Sequence, residues 1–206
     1  MSPTPVYLYV TDTFADWEPG YAIAHILKPS WQRTPGRYTV RTVSATDSPV
    51  TSMGGMRVLP DTTLAEISPA ASAMLILPGG ETWDDAASHR EVLATARAFL
   101  DAGTPVAAIC GATYGLAVAG LLEGREHTSS AAGYLASSGY AAGYLYRDAP
   151  AVTDRGLITA GSIDPVPFAT HIFAALELYE PRVLEAWSGL FTTGDEKYFA
   201  ALAAAA

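Results

Sequence analysis

Pro105-Val106-Ala107-Ala108-Ile109-Cys110-Gly111-Ala112-Thr113 is an apolar run of strand length that ends in the only cysteine of the chain. It breaks at once into glycine and small residues. Tyr114-Gly115-Leu116-Ala117-Val118-Ala119-Gly120-Leu121-Leu122 follows and reads as a buried helix. A strand that turns sharply into a helix lifts the side chain at the turn out of the sheet and aims the helix N-terminus at it. A thiol there feels the positive end of the helix dipole, which lowers its pKa and raises its thiolate fraction. The expectation is a nucleophile elbow carrying Cys110. The competing reading is a small apolar residue closing a buried strand, since free cysteine is among the most buried residue types.

Working outward from the elbow, Ser88-His89-Arg90-Glu91 has the pattern of a capping box. Val92, Leu93, Ala96, Phe99 and Leu100 then mark one helical face as far as Gly103. Before that helix, Ala73-Met74-Leu75-Ile76-Leu77 reads as a buried strand ending in Pro78-Gly79-Gly80-Glu81. Strand, helix, strand implies a right-handed crossover and parallel pairing. The double glycine either bares backbone N–H groups to a ligand or oxyanion or makes a simple tight turn. The first strand is expected at Pro5 to Thr11, with Asp12-Thr13-Phe14-Ala15-Asp16-Trp17-Glu18 beyond its end and a helix over Tyr21 to Leu27. Residues just past a strand's C-terminal end line the ligand crevice of an α/β sheet, which puts Asp16 and Glu18 where chemistry is placed. Both carboxylates also suit a helix N-terminus. Arg37 to Ser44 alternates as a half-buried strand. Gly54-Gly55 signals a two-residue hairpin between Val50–Met53 and Met56–Leu59, an excursion from the main sheet. A short helix is expected around Thr63 to Ile67.

Downstream, Ala131 to Ser137 reads as a short helix and Tyr140 to Tyr146 is ambiguous. Ala151-Val152-Thr153 and Leu157-Ile158-Thr159-Ala160 flank Asp154-Arg155-Gly156, a hairpin signature. Asp164-Pro165 opens a helix as N-cap and first residue, and Pro181 opens another. Thr193-Gly194-Asp195-Glu196 is a second capping-box pattern before the alanine-rich tail. Neither a repeat nor a linker divides the chain, so a single α/β domain over residues 1–206 is expected.

The formal net charge of −9, with Lys28 and Lys197 the only lysines, argues against nucleic acid and anionic membrane as partners. One cysteine permits no intramolecular disulfide framework, which suits a reducing compartment. There is no secretory pattern at the start and no apolar run of bilayer length. The expectation is a cytoplasmic protein acting on a small-molecule substrate.

A thiolate needs a depressed pKa, a partner for protons and donors for a developing oxyanion. The helix after Cys110 addresses the first, Glu18 the second, and the N–H groups of Gly80 and Gly111 the third. A carboxyl beside a thiol in a desolvated crevice keeps one proton between them. Of His25, His89, His127 and His171, only His127, a short loop after the elbow helix, is placed to line the pocket. His25 and His171 fall within helices, and His89 falls in a turn exposed to solvent. No histidine pair or cysteine cluster has metal-ligand spacing, and there is no GxGxxG or P-loop lysine motif, so no metal and no cofactor are expected. Pocket walls are expected from Asp16, Trp17, Gly79, Trp83, Tyr114 and the Ser162-Ile163-Asp164 loop.

Phe14-Ala15-Asp16-Trp17-Glu18, Leu77-Pro78-Gly79-Gly80 and Ala108-Ile109-Cys110-Gly111-Ala112, in that order, resemble the ThiJ/PfpI superfamily, the proteins with a class I glutamine amidotransferase-like fold. Leu157-Ile158-Thr159-Ala160 before the helix from Pro165 resembles the family's late strand and helix. The nearest branch in appearance is the bacterial one described as putative amidotransferase or intracellular protease/amidase. The resemblance implies a three-layer α/β/α sandwich with a mainly parallel, flavodoxin-like sheet, in a homodimer. It implies that Cys110 is the reactive elbow cysteine with a strained backbone, Glu18 the acid that hydrogen-bonds the thiol, and Gly80 and Gly111 the oxyanion-hole positions. Two departures stand out. The protease-like branch has histidine directly after the cysteine, where this chain has Gly111. Where many members carry a histidine a few residues after the elbow helix, this chain has Ser130, with His127 offset by three. Three functions follow: a cysteine-dependent hydrolase or amidotransferase-like enzyme acting on a small amide or reactive carbonyl; an oxidative-stress thiol sensor in which Cys110 is reversibly oxidised; or a non-catalytic dimeric binding module.

Overall fold

In the computed structural model, which describes residues 2–205, the apolar runs become strands β1 (Thr4–Tyr9), β2 (Tyr38–Ser44), β3 (Val50–Thr51), β4 (Arg57–Val58), β5 (Thr62–Thr63), β6 (Met74–Leu77), β7 (Val106–Ile109), β8 (Ala151–Asp154) and β9 (Leu157–Ala160). The helices are α1 (Gly20–Leu27), α2 (Arg90–Asp101), α3 (Gly111–Val118), α4 (Ala132–Ala136), α5 (Pro165–Ala175), α6 (Pro181–Thr193) and α7 (Glu196–Ala203). Seven strands form one sheet in the order β5-β2-β1-β6-β7-β9-β8, parallel except for β8 at one edge, and β3 and β4 form a separate antiparallel ribbon. The order β2-β1-β6-β7-β9 is flavodoxin-like. The order in which strands are added across the sheet reverses between β1 and β6, and ligand crevices open at such a switch point, outside the carboxyl ends of the strands.

The period-2 alternation of a strand divides the core in two. Val6, Leu8, Ile76, Ala107, Ile109 and Ile158 face the layer that holds Ile26, Phe168, Ile172, Phe173 and Trp187 of α1, α5 and α6. Tyr7, Tyr9, Leu75, Leu77, Val106, Ala108 and Leu157 face the other layer, with Val92, Phe99 and Leu116 of α2 and α3. Covered on both faces, β6 and β7 are buried at every residue, which is why they read as unbroken apolar runs. No helix among the described residues is long and apolar enough to cross a membrane.

Several boundaries differ from the sequence reading. Helix α3 stops at Val118 because Gly120 is left-handed (φ 67°), with Leu121 N–H donating to Leu116 O and Gly120 N–H to Ala117 O, a Schellman end. The β3–β4 loop has three residues, closed by Gly55 N–H to Ser52 O at 3.0 Å with Gly55 left-handed, rather than the two expected. The β8–β9 hairpin turns on Arg155 (φ 46°) and Gly156 (φ 77°), both positive as a two-residue type I′ turn requires. Neither expected capping box forms. Ser88 donates to Asp85 O and α2 starts after His89; Thr193 ends α6 and donates to Gly189 O, while Asp195 caps α7 by accepting from Lys197 N–H. A capping box is present at Thr63 and Glu66, around a single 3₁₀ turn, Leu64–Glu66, within the expected short helix.

Candidate active site

Strand ends build the site. After β1 the chain passes Asp16 and Trp17 and buries Glu18 completely. After β6 it runs through Pro78-Gly79-Gly80. After β7 it turns at Cys110, whose φ of 57° and ψ of −126° place a non-glycine residue in a forbidden region. Such a conformation costs about 1–3 kcal/mol and persists only where neighbours hold it. Cys110 N–H donates to Ala160 O at 3.1 Å, and Cys110 O accepts from Thr113 N–H at 3.1 Å and from the Thr113 hydroxyl at 2.6 Å.

Gly79 is the gap through which acid and thiol meet. Its N–H donates to Glu18 Oε2 at 2.6 Å. A Cβ there would lie 2.8 Å from both Cys110 Cβ and Glu18 Oε2, and 3.0 Å from Cys110 Sγ. Glu18 and the thiol approach each other across this gap, and Glu18 Oε1 is buried with no hydrogen-bond partner. Burial pushes the Glu18 carboxyl up to about 6, against the opposing pull of the Gly79 N–H and of Cys110. Burial first, then the Glu18 charge, pushes the Cys110 thiol up to about 11; the Gly111 N–H and the Ser130 hydroxyl pull the other way and lose. The depressed thiol pKa expected from the helix dipole is therefore overturned. A helix end of this kind contributes a fraction of a unit charge, whereas desolvation and an adjacent carboxylate act on the sulfur itself. Acid and thiol titrate as a pair that holds one proton across neutral pH.

That pairing has a stability consequence. Because the folded pKa of Glu18 lies above its ordinary 4.5, its contribution to stability is fully present below about pH 4.5 and is lost as pH rises through about 6. Glu18→Gln, whose amide oxygen can still accept from Gly79 N–H, is expected to match wild type near pH 4.5 and to be on the order of 2 kcal/mol more stable near pH 8. Chemical denaturation at the two pH values checks this; a variant equally destabilised at both would contradict it.

Gly111 opens α3, and a Cβ there would meet Trp83 at 3.0 Å and Gly80 O at 3.2 Å. Gly80 bridges to Phe14, and a Cβ there would lie 3.1 Å from Thr13 O. Asp16 turns away from the thiol: its Oδ2 accepts from the Ser52 hydroxyl and, at 2.9 Å, from Gly54 N–H, anchoring the β3–β4 ribbon. Trp17 is half exposed beside a hollow formed with Tyr21, Ala24 and His25. Trp83 is not a pocket wall. It is fully buried, stacked on His89 with centroids 4.0 Å apart, and donates to Pro78 O at 2.9 Å. Tyr114 packs on Tyr134, whose hydroxyl donates to Asp84.

The structure does not bring His127 to the thiol. Its Nδ1 bonds Arg125 O at 2.8 Å and its Nε2 the Tyr140 hydroxyl at 3.1 Å, so both ring nitrogens are engaged elsewhere. Three residues on, the Ser130 hydroxyl pulls the thiol pKa down, and its Oγ accepts from Ser162 N–H at 3.2 Å. His89 is buried rather than solvated, between the Tyr9 and Thr82 hydroxyls. Sequence reasoning missed Ser129 and Thr113. The signal available was the short polar run Thr128-Ser129-Ser130 following the elbow helix.

The Ser129–Ser130 segment lines a cavity of about 770 Å³, with Asp148, Ser162 and Asp164 among its other walls; neither Cys110 nor any lysine or arginine is in its wall. Burial raises the Asp164 carboxyl. Among the described residues, no group of three or more His, Cys, Asp or Glu side chains is arranged to hold a metal ion.

A strained cysteine at a strand-to-helix turn, touching a buried acid from the first strand, agrees with what comparison with known proteins finds: residues 4–175 match the DJ-1/PfpI family. The chain belongs to that family. It is 37% identical over 202 residues to the "Uncharacterized protease YoaZ" of Bacillus subtilis, covering 97% of this chain and 96% of the relative. A thiJ/pfpI family protein from Bacillus anthracis superposes with a TM-score of 0.92 at 36% identity, covering 100% of this chain and 98% of that one. A DJ-1 superfamily protein from Agrobacterium tumefaciens gives 0.79 at 32% identity, covering 93% and 98%. A shorter match, 35% identical over 80 residues, joins 39% of this chain to 48% of the "Deglycase PfpI" of Pyrococcus furiosus. DJ-1/PfpI relatives of this chain thus carry both protease and deglycase names.

Proposed function

We propose that this DJ-1/PfpI protein is a cysteine-dependent enzyme whose Cys110 sulfur adds to the carbonyl carbon of a small substrate, with reactive carbonyl compounds preferred over amides. The observation that carries the reading is the strained Cys110 facing the buried Glu18 across Gly79, with His127 bonded elsewhere. Addition to an aldehyde or ketone needs only the one proton the pair holds. It passes from the thiol to Glu18, the sulfur forms a bond to carbon, and the carbonyl π pair moves onto oxygen. The oxygen, held by the N–H groups of Gly80 and Gly111, then takes the proton from Glu18. An amide makes a further demand. The proton must reach the departing nitrogen, and a water must then be deprotonated to cleave the thioester, with Glu18 the only acid–base group on the sulfur to do both.

The cavity wall narrows the substrate. Hydroxyls and two carboxylates, with no lysine or arginine, favour neutral or cationic molecules bearing hydroxyl or amino groups over anionic ones. We read the protein as a homodimer in solution, in keeping with the half-exposed Trp17 and exposed Leu27, Met56 and Leu59, and as having no nucleic-acid partner. The deciding experiment is a turnover panel of small 2-oxoaldehydes and small amides, each in neutral and carboxylate-bearing form. Neutral oxoaldehydes are expected to turn over at least about tenfold faster, by kcat/KM, than their anionic analogues. Preference for the anionic forms, or peroxide oxidation of Cys110 with no turnover of any compound, would overturn the reading, the second in favour of a thiol sensor.

A further inference from the structure

The strained cysteine must be held, and what holds it leads to the cavity. The hydroxyl of Thr113, a fully buried side chain one turn into α3, lies 2.6 Å from Cys110 O and 2.7 Å from Ser129 Oγ. A hydroxyl has one proton. The carbonyl accepts only, so the Thr113 proton is committed to Cys110 O, and Ser129 must be the donor in the second bond. The relay therefore has a fixed direction: Ser129 O–H to Thr113 Oγ, Thr113 O–H to Cys110 O. Ser129 is itself buried and forms part of the cavity wall. The next residue, Ser130, also lines the cavity, and its Oγ accepts from Ser162 N–H at 3.2 Å. One short segment thus supports the Cys110 carbonyl through Thr113 and forms part of the cavity wall.

We propose that Thr113 and Ser129 are positioning residues, which fix the elbow peptide so that the Cys110 sulfur stays beside Glu18 at the Gly79 gap. Neither touches a reacting atom. The inference rests on Cys110 being the reactive group, as the proposed function does, but on no particular substrate. It also ties the cavity wall to the thiol, because whatever hydrogen-bonds Ser129 from the cavity competes with the relay. Without the relay the peptide relaxes, and the sulfur leaves the acid that shares its proton.

Cys110 is the only cysteine, so alkylation by iodoacetamide reads this thiol alone. The variants are Thr113→Val, which keeps the shape and removes the hydroxyl; Thr113→Ser, which keeps the hydroxyl; Ser129→Ala; and the Thr113→Val/Ser129→Ala pair. Alkylation rate is followed against pH, beside wild type, on samples shown folded by circular dichroism. Thr113→Val is expected to lose the limb of the profile that responds to Glu18, changing the neutral-pH rate by about tenfold, as coupled hydrogen-bond networks do. Ser129→Ala shifts the profile the same way and less. Thr113→Ser restores the wild-type profile. The double variant matches Thr113→Val alone, because Ser129 acts only through Thr113. The proposal is overturned if the Ser129→Ala profile superimposes on wild type, or if the double variant shows the sum of two independent effects. Wild type itself provides the separation: a Cys110 whose alkylation ignores Glu18→Gln would sink the shared-proton reading, whatever the relay does.

Discussion

Cys110→Ser is expected to abolish turnover, by at least about a thousandfold in kcat/KM, while leaving the fold intact. Serine repeats the size and the backbone demands of cysteine, so the bond it donates to Ala160 O and those it accepts from Thr113 have the same partners. What changes is the nucleophile. A buried hydroxyl beside Glu18 gives up its proton far less readily than a thiol does. The Gly80 and Gly111 N–H groups would still bind a carbonyl oxygen, so substrate binding should persist while chemistry stops. A kcat that collapses with KM little changed is the expected split. Turnover surviving in Cys110→Ser would mean that another group does the chemistry.

Gly115→Ala is expected to be strongly destabilising, costing about 3 kcal/mol, toward the upper end for overpacking. The added carbon would lie 2.6 Å from Trp83 Cε3 and 2.7 Å from its Cζ3. The indole cannot retreat: one face is stacked on His89, its Nε1 is bonded to Pro78 O, and its near edge lies under Gly111. For a chain of this length that cost corresponds to a fall in Tm of about 10 °C. Because Trp83 also supports the first residue of α3, the elbow should shift with it, and Cys110 alkylation should change in the protein that remains folded. Gly133→Ala, with open space around its Cβ position inside α4, is the control and should be neutral or slightly stabilising. Equal melting temperatures for Gly115→Ala and wild type would contradict this account of Trp83.

These residues also show what a sequence can carry. The elbow and the mainly parallel sheet were legible because buried strands write themselves as apolar runs and turns as glycine. Glu18, Gly79 and Cys110 could be grouped because strand ends share one edge of an α/β sheet. The charge state of the thiol was not legible. It depends on how closely a carboxylate approaches through the gap at Gly79, a distance no pattern encodes. His127 and Ser130 differ by three places along an irregular loop, and which of them faces the sulfur is set by tertiary bonds from Arg125 and Tyr140 on one side and Ser162 on the other. The capping pattern at Ser88 misled for a similar reason: the residues before α2 are held by His89 stacked on Trp83 and bonded to Thr82, not by a local cap.

Titrating the thiolate absorbance of wild type and Glu18→Gln from about pH 5 to about pH 12 tests most directly whether Cys110 and Glu18 share one proton. Wild type should form thiolate in one step near 11, and Glu18→Gln, which removes the carboxylate charge beside the sulfur, should move that step to lower pH. A single transition near about 8.5, the value of an unperturbed cysteine, and unmoved by Glu18→Gln, would contradict it.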